Sequence, residues 1–80
     1  MENNIAEKEL AKIFSVRLKT MMDEKSISLG CLSEKSGISV KTIQSWLDKK
    51  ACPKSRGFIK IAIALNCSCD YLVGREKYKS

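Results

Sequence analysis

Eighty residues suffice for one small domain with its own core but leave no room for a second independently folded unit, so any function is expected on that single domain. No apolar run approaches the roughly 20 residues of a membrane span, and the polar start, Met1 to Lys8, lacks the pattern of a secretory signal; a soluble cytoplasmic protein with no membrane partner is expected. The net charge of +6 is uneven, with seven Lys/Arg against seven Asp/Glu in residues 1–48 and eight against two in residues 49–80.

Lys49, Lys50, Lys54, Arg56 and Lys60 fall within twelve residues, a density suited to a polyanion such as nucleic acid or to an anionic membrane surface. An ordinary solvated surface is the alternative. Cys31, Cys52, Cys67 and Cys69 are separated by 20, 14 and 1 residues, which fits no zinc spacing and includes no CxxC pair; the chain also has no histidine. The cysteines are therefore expected to be reduced thiols that pack as small apolar groups, with no metal and no cofactor.

From Ala6 to Lys25 there is no Gly or Pro, and Leu10, Phe14, Leu18 and Met21 recur at helical spacing, with Ile13 and Met22 beside them. This predicts an amphipathic first helix, preceded by an extension over residues 1–8 that either stands apart from it or continues into it. Ser28 is placed to cap a second helix whose Leu29, Leu32, Ser33 and Ser36 share one face. Gly37 then supplies the left-handed residue that ends it, with Ile38 packing back, and Ser39 caps a third helix two residues later.

On the third helix Ile43, Trp46 and Leu47 cluster on one side, while Lys41, Gln44, Ser45 and Asp48 lie opposite. One face is core and the other free. The segment KKACPKSRG reads as a loop into a fourth helix that starts near Arg56 or Gly57 and runs to about Leu65. Within it Phe58, Ile61, Ala62 and Leu65 follow the buried template, and Ile59 and Ile63 form a second apolar row that needs a partner. That partner is either a second copy of the chain or the N-terminal extension through Ile5. Ser68 caps a short last helix, Cys69 to Val73, which Gly74 ends; residues 75–80 are a polar basic tail.

Helix, glycine turn, capped helix is the arrangement in which the first member crosses the DNA backbone and the second lies in the major groove. The sequence here resembles the Cro and lambda-repressor type of helix-turn-helix, the XRE family, over about Phe14 to Gly74. The resemblance rests on the RLK of Arg17 to Lys19, Ser28, Leu32, the GIS of Gly37 to Ser39, the TIQSW of Thr42 to Trp46, Pro53, and the DYLVG of Asp70 to Gly74. It implies an all-α, compact five-helix domain over residues 9–74, with the helix-turn-helix at helices 2 and 3. The implied core is Leu18, Met21, Leu32, Ile38, Ile43, Trp46, Phe58, Ala62, Leu65 and Leu72.

The resemblance also implies that Val40, Lys41, Gln44 and Ser45 meet base edges in double-stranded DNA. Lys41 suits guanine O6 or N7, Gln44 a paired contact with adenine, Ser45 either a donor or an acceptor, and Val40 a thymine methyl. Ser39, Lys49, Lys50 and Lys54 are then expected on phosphates. The implied protein is a small transcriptional regulator, a repressor acting by occupancy of a palindromic operator, with Ile59 and Ile63 as the candidate dimer patch. No catalytic residue and no small-molecule ligand are expected. The competing expectation is a protein-interaction module of antitoxin or adaptor type on the same fold.

Four residues depart from the family pattern. Leu29 stands where Gln is usual, Ser55 where an apolar residue is usual, and Ile63 where a polar one is usual. Leu47 replaces the Glu that commonly pairs with a helix-one arginine, so Arg17 is expected either free or paired with Asp48.

Overall fold

In the computed structural model, which describes residues 7–74 and their side chains from Glu9 onward, the first apolar stripe forms α1, Glu7–Glu24. It ends one residue before Lys25, where Ser26 takes a positive φ of 53° and turns the chain. Phe14, Leu18 and Met21 are buried as the spacing predicts, whereas Leu10 is only half-buried because it lies at the end of the stripe nearest the rim.

The break at Gly37 is held by local chemistry. Ser28 Oγ accepts the Cys31 amide and starts α2, Leu29–Ser36; Gly37, at φ 74°, ends it and donates to the Ser33 carbonyl. The serines on the inner face of α2 then fix the turn: Ser33 Oγ donates to the Ile38 carbonyl at 2.6 Å and Ser36 Oγ accepts the Ile38 amide at 3.2 Å. A serine hydroxyl can bond nearby backbone that the helix no longer satisfies, which is why two of them serve here. The exit angle of the chain is thereby fixed before α3, Val40–Leu47, begins under its own cap, Ser39.

After α3 the chain crosses a loop containing buried Pro53 and enters α4, Ser55–Leu65, one residue earlier than the earliest expected start. A short α5, Cys69–Leu72, follows the Ser68 cap, one residue shorter than expected because Val73 is its C-cap. Helix α1 packs on α3 and α5, α2 packs on α3 and α4, and α4 packs on α5. Among the described residues every regular element is a helix.

The core is centred on Phe14, whose ring meets Trp46 edge-on at 5.7 Å and Phe58 at 5.0 Å. Edge-to-face contacts of this kind add about 0.5 to 1.5 kcal/mol each beyond area burial. Trp46 is 5% exposed, so it is an anchor for α3 and not a surface stacking platform. Ile38 and Phe58 of the implied core are half-buried against it, while Ser15, Ile61 and Tyr71 are buried in addition.

All four cysteines are half-buried thiols outside any disulfide, and Cys67 and Cys69 pack against the core. Burial pushes the Cys67 thiol up; Lys25 opposes this and Cys69 adds to it. A raised thiol pKa leaves little of the reactive thiolate, in keeping with a packing role.

Gly57 marks a close approach. A Cβ there would stand 2.7 Å from Pro53 Cβ and 3.5 Å from the Trp46 ring, and a proline ring has little freedom to retreat. Gly57→Ala is therefore expected to destabilise the fold by about 1 to 3 kcal/mol through overpacking, read as a lower urea midpoint. An unchanged or raised midpoint would show that Pro53 yields.

Candidate nucleic-acid interface

Three contacts set the position of α3. Ile43 and Trp46 bury its inner face. Ser15 Oγ on α1 donates to the Leu47 carbonyl at 2.8 Å, pinning the last turn of α3 along its axis. The Ser39 cap fixes the first turn: its hydroxyl accepts the Thr42 amide at 3.2 Å and donates to Thr42 Oγ1 at 2.9 Å. A helix held at both ends and along one face presents its other face at a defined angle.

That other face carries all four base-reading candidates. Val40, Lys41 and Gln44 are exposed, Ser45 is half-buried, and together with Asp48 and Lys50 they line one shallow concavity. Ser45 Oγ donates its proton to the Thr42 carbonyl at 2.6 Å, so in this arrangement it offers acceptor capacity outward. Gln44 Nε2 donates to Asp48 Oδ1 at 3.1 Å, one turn further along.

The lysines expected on phosphates do not act as one group. Lys49 terminates α3 in the left-handed region, at φ 64°, with Lys50 N–H donating to the Ser45 carbonyl. This turn separates the two neighbours: Lys50 joins the α3 concavity, and Lys49 joins a second one between α1, α2 and α3 with Val16, Lys19, Leu29 and Leu47. Lys54 is exposed at the N-cap of α4, without a side-chain cap bond. Ser39 is exposed, but its hydroxyl is engaged in the cap, so a phosphate there would meet the amides of the first turn of α3.

Lys19, which enters the sequence pattern only as the end of the RLK stretch, stands at the edge of this region at 3.4 Å from Asp23. Its nearness to Lys49 follows from the packing of α1 on α3 and has no signal in the sequence. A further correction concerns Arg17. It is not free: its guanidinium lies 4.4 Å over the Tyr71 ring and Nη1 donates to the Tyr71 carbonyl at 3.3 Å, tying α1 to α5. Asp48 is instead engaged by Gln44. The guanidinium suits this place because its flat, weakly hydrated face stacks on an aromatic ring.

Ile59 and Ile63 are 51% and 75% exposed on α4, so the second apolar row is uncovered among the described residues. Ile5, the alternative cover, lies outside them.

A glycine-broken, doubly capped helix pair whose second member is anchored on one face and polar and basic on the other defines a helix-turn-helix DNA-binding domain. A helix-turn-helix family model matches residues 18–72, more than half of the chain, and the chain belongs to that family, of the Cro and lambda-repressor type. Members of this family are DNA-binding regulators, and double-stranded DNA binding is the activity this assigns. No curated protein and no solved structure gives a significant match. Among the described residues no helix is long and apolar enough to cross a membrane.

Proposed function

We propose that this chain is a transcriptional repressor that reads its operator with α3 and acts by occupying the site. The observation that carries this reading is the division of α3: Ile43 and Trp46 hold one face in the core, and Val40, Lys41, Gln44 and Ser45 occupy the opposite, accessible face. Lys41 donates to guanine, Gln44 pairs with adenine, and Val40 touches a thymine methyl, while Lys49, Lys50 and Lys54, with the first-turn amides that follow the Ser39 cap, hold the phosphates on either side. Two copies on a palindrome supply the affinity that one small interface lacks, and exposed Ile59 and Ile63 are the surface through which the copies meet. That same exposed row favours the second reading, a module that binds a protein partner with little DNA affinity.

Paired substitutions test the division of labour. Lys41→Ala is expected to relax the preference at one base pair by about 1 to 3 kcal/mol, whereas Lys50→Ala weakens all duplexes alike. Competition titrations against a panel of single-base operator variants read both effects. A Lys41→Ala chain that loses affinity equally for every duplex would remove Lys41 from base reading.

A further inference from the structure

We infer that Asp48 is a specificity-determining residue, which fixes the direction in which Gln44 presents its amide to a base. This rests on the reading of α3 as the base-reading helix. The carboxylate stands one turn beyond Gln44 on the same exposed concavity, and Gln44 Nε2 donates to its Oδ1 at 3.1 Å.

The position of Asp48 has no ready account in stability. It is the C-cap of α3, at the end of the helix where the partial charge is negative, so an acidic group there is unfavourable. It is also exposed, and it places a negative charge on a face whose other charged residues are Lys41 and Lys50. A face meant only for phosphate would be better served by a neutral or basic residue.

Chemistry supplies the role. An ionised carboxylate only accepts hydrogen bonds, so the amide that faces it must turn its nitrogen toward it and its oxygen away. A glutamine without such a partner is ambidextrous: turning the amide over exchanges donor and acceptor. With Asp48 in place, one N–H is committed, and one N–H and Oε1 remain in a fixed order. Those two groups are what a paired contact with adenine N7 and N6 requires, and the fixed order distinguishes adenine on one strand from adenine on the other.

Asp48 adds an exclusion as well. Its negative charge disfavours guanine, whose major-groove edge offers only acceptors, and it tolerates the N4 donor of cytosine. The residue thus lowers overall affinity while it widens the gap between correct and incorrect sites, a recognised route to specificity.

The test uses the full chain and duplexes selected by the wild type from a random pool. Asp48→Ala removes the acceptor. Asp48→Asn keeps a partner but, being an amide itself, accepts Gln44 in either orientation. Both variants are expected to fold, checked by their urea midpoints, to bind non-selected duplexes more tightly, and to lose about tenfold of the discrimination at the base pair that Gln44→Ala also flattens. In the double variant Gln44→Ala/Asp48→Ala the loss at that base pair is no greater than with Gln44→Ala alone. If Gln44→Ala flattens a position and the Asp48 variants shift every duplex by one common factor, Asp48 is a charge and nothing more, and the inference is overturned while base reading by α3 stands. If the wild type selects no sequence, base reading by α3 fails and takes the inference with it.

Discussion

Phe14→Ala is expected to cost about 3 to 5 kcal/mol of folding stability. Phe14 is fully buried and is the ring on which both Trp46 of α3 and Phe58 of α4 rest. Removing it leaves a cavity among three helices and withdraws the support of α3 in the same step. Small domains have about 5 to 15 kcal/mol in all, so this variant lies close to its unfolding threshold at room temperature. Urea titration followed by the emission of the lone tryptophan, Trp46, measures the loss directly. A cost under about 1 kcal/mol would contradict the central placement of Phe14. DNA affinity is expected to fall in step with the folded fraction, because Phe14 touches no DNA itself.

The second large effect is that of salt. Each phosphate neutralised by a lysine contributes about −0.9 to the slope of log affinity against log salt. Lys49, Lys50 and Lys54 on three phosphates give a slope of about −2.7 for one copy and about −5.4 for two. For two copies, a rise from about 50 to 200 mM salt then weakens binding roughly a thousandfold. Lys50→Ala with Lys54→Ala should reduce the slope by about 1.8 per copy, while Lys41→Ala changes it less than it changes base preference. A flat salt response with binding retained would favour contact with a protein partner through the exposed row of α4.

The helix-turn-helix itself is legible in the sequence because its signals are local. Gly37 needs a left-handed conformation, Ser28 and Ser39 cap helices, and Ile43 and Trp46 fall at helical spacing, so each is read within a few residues. The outward face of α3 follows from the same periodicity. What escapes the sequence depends on packing between distant segments. Arg17 reaches Tyr71 because α1 lies on α5, a contact 54 residues apart in sequence that no local pattern announces. Ser15 carries no signal in the pattern of α1; only with α3 docked does it become the anchor of the Leu47 carbonyl.

The lysines show the same limit at short range. Lys49 and Lys50 are neighbours, and only the left-handed backbone at Lys49 sends them to different concavities. The spacing of Gln44 and Asp48 permits a bond between them, but the same spacing also permits two independent solvated side chains. Their choice of each other appears only in three dimensions.

The measurement that tests the central claim most directly is selection of duplexes by the wild-type chain from a random pool at about 0.15 M salt, a condition that screens weak surface charge. If α3 reads bases, a defined sequence is enriched, and Lys41→Ala and Gln44→Ala each erase preference at their own position within it. Recovery of an unenriched pool by a folded wild-type chain would contradict sequence reading by α3.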